Sequence, residues 1–473
     1  MNVGSSLRIY EINTRLYRRR FADITESELV TLAKSGFDAI WLMGVWQVSE
    51  ASTKISRIIE SDYEGSPFAV PLYELSSELG GREEYEALRK RVNSAGMAVI
   101  LDFVSNHVAL DSPWIDSNPE WFIRADCSVR PQSVSEYHLH RSGELIAFGR
   151  DPFFPPWVDT AQLDYTSTAL RSHMIGVLMR IASLADGVRC DMAMLLMRDY
   201  IRRQWYPGLP DSIFEARMDR EFWSEAITRV KSAHPGFLFI AEAYWSSEPS
   251  LIEMGFDYCY EKELYDGMVA RDVQVIQGRL SRDSSALQKS LYFIENHDEL
   301  RAANLFEPAT NLAAAAMILA LPGAVLIHEG QMSGKKERVP VQRVIPLIYE
   351  EPDRELEDSY LRLLKCTESE PFKSGEFVLL NAEQSGLVIF LRRKNENVVV
   401  YVGAASLSGV SLAEAAVDLT SAVSASGGGV HIVTNLLTGE TCVVTTHEGR
   451  FIVHIGRLVK AESKFCLFQI AVL

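Results

Sequence analysis

Apolar residues in this chain come in short unbroken runs that stop at charged or amide side chains. Eight such runs read as buried strands: LRIYEINTRLY (7–17), FDAIWLMGVW (37–46), MAVILDFV (97–104), GVRCDM (187–192), FLFIAEAY (237–244), FDYCYEK (256–262), SLYFIENHD (290–298) and GAVLIHEGQ (323–331). Between several of them lie amphipathic segments with stop signals: 26–36 closes at Gly36, 83–96 at Gly96, and the long run 167–185 at Asp186 and Gly187. Strands that are apolar on both faces and alternate with helices belong to a parallel sheet. Eight of them predict a closed α/β barrel, a (β/α)8 TIM barrel.

Two stretches break this rhythm. About 60 residues rich in Trp, Pro and Phe, including SPWIDSNPEWF and FGRDPFFPPWVD, separate the third strand from the helix near Ser167, far more than a loop needs. They predict a small insertion after strand 3. Beyond the helix near 355–366 the helical period gives way to strand-like runs such as GLVIFLRR, NVVVYVGA, HIVTNLLTG, TCVVTT and FIVHIGRL, which predict a C-terminal all-β domain, with SASGGGV (424–430) a loop inside it. The expected division is a first part of the barrel at 1–106, an inserted subdomain at 107–166, the second part of the barrel at 167–366 and the β domain at 367–473.

A chain of 473 residues with 47% hydrophobic content can build several cores. Its formal net charge of −16 speaks against a phosphate-backbone partner, so no nucleic acid is expected. The first barrel strand lacks a following GxGxxG, which removes the phosphate cradle of a dinucleotide fold. There is no apolar stretch of about 20 residues and no signal-like h-region, so neither a membrane nor export is expected and the cytoplasm is the expected compartment. Six cysteines agree: Cys190 and Cys259 lie in apolar runs, while Cys127, Cys366, Cys442 and Cys466 are scattered without a CxxC pair or metal spacing, and all read as reduced thiols.

The chemistry sits where four of the runs stop: VILDFVSNH (99–107), GVRCDMAM (187–194), FLFIAEAY (237–244) and LYFIENHD (291–298). A carboxylate at the end of a strand buried on both faces must point into a polar cleft, and in such barrels the strand ends carry catalytic groups. Any one of these clusters reads equally well as a structural salt bridge; four in order do not. The ordered set resembles the four signature regions of the alpha-amylase family of glycoside hydrolases (glycoside hydrolase family 13). Asp102, Asn106 and His107 match the first region, Arg189 and Asp191 the second, Glu242 the third, and His297 and Asp298 the fourth; AQLDY (161–165) matches a further short motif.

Retaining cleavage of a glycosidic bond needs one carboxylate to attack and one carboxylic acid to protonate the leaving oxygen, about 5 to 5.5 Å apart. Asp191 and Glu242, at the ends of adjacent strands, meet that need. The residues alone leave open which does what, and the resemblance implies Asp191 as nucleophile and Glu242 as acid/base. Arg189, two residues before Asp191, faces the same side of its strand and predicts an ionised Asp191 of low pKa. By resemblance Asp298 grips sugar hydroxyls and helps distort the ring, His297 and His107 donate to sugar hydroxyls, and Asp102 orients the site. Relatives keep a Tyr and an Asp where SPFAVPLY (66–73) has Phe68 and Leu72; Phe68 can still stack on a sugar. Trp114, Trp121, Phe154 and Trp157 serve either as outer subsites or as the insertion's core.

The resemblance requires no cofactor and allows a structural calcium ion with Asn106 as a ligand. It implies an alpha-glucan or small alpha-glucoside substrate, hydrolysed with retention. Alternatively the covalent intermediate passes to a sugar, as in a glucanotransferase, a maltosyltransferase or a trehalose-type transglycosylase. A non-catalytic sugar-binding relative would lack one of the three carboxylates, and all three are present. Oligomeric state is not written in the sequence. Among the basic runs, YRRRF (17–21) and DYIRRQWY (199–206) read as solvated, whereas GKKERVPVQR (334–343) follows the eighth strand and puts Lys335, Lys336, Arg338 and Arg343 on the rim where barrels bind phosphate.

Overall fold

The computed structural model describes residues 6–16, 19–125, 134–380, 386–394, 399–407, 410–420, 430–460 and 462–472. Tyr17 and Arg18 of the YRRRF run, Cys127 and residues 424–429 of the SASGGGV stretch lie outside the described residues. All eight expected strands form, as β1 (Leu7–Asn13), β2 (Ala39–Met43), β3 (Ala98–Val104), β4 (Gly187–Asp191), β5 (Leu238–Ala241), β6 (Tyr258–Tyr260), β7 (Ser290–Tyr292) and β8 (Ala324–His328). They close into a parallel barrel in which each strand pairs with its sequence neighbours and β1 pairs with β8.

The register explains how the functional residues come together. Val104 of β3 lies opposite Asp191 of β4, and Cys190 of β4 lies opposite Ala241 of β5, so the ends of three successive strands are level. Side chains along β2 and β3 are buried throughout, as in a sheet covered on both faces. The helices start and stop where the sequence signals stand. Thr25 caps Glu26–Lys34 through Glu28 N, Ser167 caps Thr168–Leu184 through Leu170 N, and Gly36 and Gly96 follow their helices at φ +89° and +85°. At the opposite end of the barrel, the buried Arg8 of β1 donates to the carbonyls of Leu364 (3.0 Å) and Thr367 (2.6 Å), tying the first strand to helix Arg354–Cys366.

After β3 the chain makes short antiparallel pairs, His107–Ala109 with Thr160–Gln162 and Tyr137–Leu139 with Leu145–Ala147. Trp114 and Trp121 are buried there against His173, at ring distances of 4.6 and 4.7 Å, so they form core and not a sugar platform. Beyond helix Arg354–Cys366 stands an antiparallel six-stranded sheet of β9 (Glu376–Leu380), β10 (Leu387–Arg393), β11 (Val399–Ser406), β12 (Val430–Asn435), β13 (Thr441–Thr445) and β14 (Phe465–Val472), in the order β9-β10-β11-β14-β12-β13. The last strand of the chain thus sits inside the sheet, between β11 and β12. The run at 451–458 instead pairs with Ala416–Asp418 in a separate two-stranded sheet through Ile452–His454. Among the described residues no helix is long and apolar enough to cross a membrane, and the five described cysteines form no disulfide.

Candidate active site

Arg189 organises the C-terminal mouth of the barrel. Its guanidinium is 1% exposed, donates to Asp191 Oδ1 at 2.6 Å, stands 2.8 Å from Glu242 Oε2 and 3.7 Å from Asp102 Oδ1, and is ringed by Trp41, Phe68 and Tyr260 at 5.3 to 5.7 Å. The Arg189–Asp191 contact is the one expected from the strand periodicity. Its contact with Glu242 was not, because it depends on the spacing between neighbouring strands.

Glu242 follows β5 directly, and its backbone is laced to the end of β4. Its N–H donates to Cys190 O at 3.0 Å and its carbonyl accepts from Ala193 N at 3.1 Å. Between these two points Met192 adopts a left-handed conformation (φ 44°, ψ 46°), uncommon for a side-chain-bearing residue, and its N–H donates to Glu242 Oε2 at 2.6 Å. The Tyr244 hydroxyl donates to Oε1 at 2.8 Å. Burial nonetheless pushes the Glu242 carboxyl up to about 7, against the pull of Arg189. Asp191 is also raised by burial, with Arg189 opposing, so Arg189 limits the rise and does not produce the low value expected from the sequence. Asp102, buried beside Trp41 Nε1 (3.2 Å), is pushed up to about 7 for the same reason.

Asp298 and His297 stand across the mouth. The Asp298 side chain is 44% exposed and lies 3.0 Å from His297 Nε2, while His297 Nδ1 lies 2.5 Å from Glu11 Oε1. Burial would raise Asp298, but the His297 imidazolium, followed by Arg189 and Arg338, outweighs it and holds the carboxyl at about 2. His297 is raised well above its ordinary value: burial of the ring works against this and the Asp298 and Glu11 carboxylates prevail. Both ring nitrogens therefore face protein carboxylates, where a donation to sugar hydroxyls was expected. Phe68 stacks on His297 at 5.3 Å and 27°, so the expected aromatic lines the site.

His107 is buried next to this group. It contacts Phe68 O at 3.2 Å, its ring lies 4.9 Å from that of Trp157, and burial lowers it to about 4, which keeps it neutral. The Asn106 amide, the expected calcium ligand, is engaged by a protein partner: its Oδ1 accepts from Gln162 Nε2 at 2.9 Å and its Nδ2 donates to Gln162 Oε1 at 3.1 Å. Among the described residues no three His, Cys, Asp or Glu side chains gather to hold a metal. The rim cluster is divided. Lys335 bonds the Glu350 carbonyl and the buried Arg343 pairs with Asp62, leaving Lys336 and Arg338 exposed. Their loop is closed by a reciprocal clamp in which Glu350 accepts from Lys336 N and Glu337 N, and Glu337 accepts from Leu347 N and Ile348 N.

Glu11, Trp41, Tyr244, Tyr260 and the Met192 N–H join the site without having been singled out from the sequence. Glu11 did carry a signal, a lone carboxylate in the middle of the apolar strand LRIYEIN. Outside Glu242, Trp245 stacks on Tyr200 at 5.9 Å and meets Phe153 at 4.7 Å; Phe153 and the neighbouring Phe154 are largely exposed.

Comparison with known proteins follows the same lines. The family model described as "Alpha amylase, catalytic domain" matches residues 24–359. Alpha-amylase MalA of Haloarcula japonica is 28% identical over 342 residues, 70% of this chain and 44% of MalA. An alpha-1,4-glucan:maltose-1-phosphate maltosyltransferase of Bifidobacterium longum is 23% identical over 253 residues, 48% of this chain and 27% of that protein. The matches thus span less than half of these curated relatives. Solved structures share the fold: an alpha-amylase from Lactobacillus plantarum (TM-score 0.71, 22% identity, 99% of both chains) and the maltogenic alpha-amylase AmyB from Thermotoga neapolitana (0.73, 20%, 99% of both). With its eight-stranded parallel barrel, its level strand-end carboxylates and a family match across most of its length, this chain belongs to the alpha-amylase family of enzymes.

Proposed function

We propose that the chain is a retaining glycoside hydrolase acting on alpha-linked glucosides, maltooligosaccharides or related alpha-glucans, through a covalent glycosyl-enzyme intermediate. The observation that carries this is the buried Arg189 fork joining Asp191 to Glu242, with Glu242 poised at about 7. A carboxyl in that range can give a proton to the leaving oxygen and take one back at neutral pH. Asp191 attacks the anomeric carbon as Glu242 protonates the departing oxygen. An incoming hydroxyl then displaces Asp191 while Glu242 accepts its proton. Asp298, ionised and half-exposed, grips sugar hydroxyls, and Phe68 offers a ring face to the same sugar.

If the incoming hydroxyl belongs to a sugar, the same residues perform transglycosylation. The similarity to maltosyltransferases and the exposed Arg338, whose charge reaches Asp298, favour this as the second reading. The five described free thiols suit a cytoplasmic enzyme.

The roles separate experimentally. Asp191→Asn should abolish turnover of every substrate. Glu242→Gln should still load an activated glucosyl fluoride, leaving an adduct on Asp191 visible by intact-protein and peptide mass measurement. An adduct on Glu242, or wild-type turnover by Asp191→Asn, would falsify the assignment.

A further inference from the structure

We propose that Glu11 is a positioning residue: from β1 it keeps His297 protonated on both ring nitrogens and, through that ring, fixes the carboxylate of Asp298 at the mouth of the barrel. This rests on the reading of Asp298 as the carboxylate that grips the sugar.

Glu11 is fully buried between Tyr10 and Ile12 in a strand with no other carboxylate, an expensive place for a charged group. Its Oε1 lies 2.5 Å from His297 Nδ1, and its Oε2 has no hydrogen-bond partner among the described residues, so its main partner is the ring. The ring cannot swing away. The edge contact with Trp41 (5.4 Å, 79°) and the stacked Phe68 (5.3 Å, 27°) hold it from two sides. Its other nitrogen lies 3.0 Å from Asp298 Oδ2.

A neutral imidazole has one N–H and one lone pair, and would turn the lone pair on a carboxylate at one end or the other; only the doubly protonated ring turns an N–H to each, in a hydrogen bond with Glu11 and an ion pair by distance with Asp298. The charges that act on this row of groups are Arg189, Asp102 and Asp191 from the neighbouring strands, Arg338 from the rim beside Asp298, and His328 of β8 behind Glu11. Burial works against an ionised Glu11, but His297 and then His328 outweigh it, so its carboxyl stays below the usual range and remains a fixed negative charge. Asp298 needs such support. Its backbone is anchored by Asn296 Oδ1 at 2.9 Å, yet its side chain is 44% exposed and His297 is its one ion-pair partner among the described residues.

Glu11→Gln keeps the shape and an acceptor oxygen and removes the charge. In the full chain with labelled histidines, the His297 ring resonance, assigned by its loss in His297→Gln, should titrate well above the ordinary imidazole range, and in Glu11→Gln should titrate at least about one pH unit lower. Turnover of a maltooligosaccharide should fall by about tenfold to a hundredfold, mainly in kcat, with the loss deepening as pH rises. In an Asp298→Asn background the same change should cost little further, because Glu11 acts through Asp298. A wild-type His297 that titrates at the ordinary value, a titration unmoved by Glu11→Gln, or a full additional loss in the Asp298→Asn background overturns the inference. Inactivity of the wild-type chain on every alpha-glucoside overturns the functional reading instead, and the titration still decides whether Glu11 charges the ring.

Discussion

Replacing Tyr244 by Phe should move the alkaline limb of activity upward. Two donors and a cation converge on the Glu242 carboxylate: the Tyr244 hydroxyl at 2.8 Å, the Met192 N–H at 2.6 Å, and the Arg189 guanidinium in an ion pair at 2.8 Å. Each favours the ionised form, and burial still lifts the group to about 7. Burial and the adjacent Glu242 raise Tyr244 itself well above its ordinary value, so its hydroxyl remains a donor at every working pH. A hydrogen bond to a charged acceptor contributes about 1.5–3 kcal/mol and one to a neutral acceptor about 1 kcal/mol. Loss of this donor therefore disfavours the carboxylate relative to the acid by about 1 kcal/mol, and at about 1.4 kcal/mol per pH unit the pKa rises by about 0.7. In the proposed mechanism Glu242 must be protonated to assist departure, so activity on an unactivated glucan should fall as pH rises through its pKa. The limb should shift from about 7 to about 7.7 in Tyr244→Phe. The assay is kcat/KM against pH with maltooligosaccharides, read as new reducing ends, beside a glucosyl fluoride whose leaving group needs no proton and should show no such limb. A limb that stays put or moves to lower pH refutes the reasoning.

Arg189→Lys offers a single ammonium where a fork serves Asp191 and Glu242; it should inactivate the enzyme and, by leaving a desolvated carboxylate unpaired, cost about 3–5 kcal/mol in denaturant unfolding. Because the Asn106 amide is taken up by Gln162, excess chelator should leave the thermal midpoint and activity unchanged, and a fall in either would restore a calcium site. Lys336→Ala combined with Arg338→Ala should weaken use of a phosphorylated alpha-glucoside far more than that of a neutral glucan, and equal losses would remove the phosphate idea.

The barrel was legible because each strand is an apolar run that ends on polar groups, and the same abrupt endings exposed Asp191, Glu242 and Asp298. The β domain was read less completely. Neither β9 nor β14 stood out, since EFVLL is short and FCLFQIAV lies past the last strand-like run noted. At the site, single-strand periodicity gave Arg189 beside Asp191, but the second arm of Arg189, the Glu11–His297–Asp298 row and the aromatic ring around the guanidinium join strands far apart in sequence. Nor could spacing foresee that burial would outweigh Arg189 at Asp191, since that balance depends on how much water the closed barrel excludes.

The lacing between β4 and β5 has a consequence for how this site can change. Cys190 and Ala193 bracket Glu242 by backbone hydrogen bonds and the Met192 N–H reaches its carboxylate, so Asp191 and Glu242 are anchored to one another by main-chain atoms. Side chains farther out on the walls, Trp245 and Phe153 among them, can be exchanged without touching those bonds. Substrate range can therefore drift while the bond-breaking geometry is inherited unchanged. A designer who wants a different sugar can rebuild the walls freely, but moving either carboxylate means re-cutting the backbone that joins two strands.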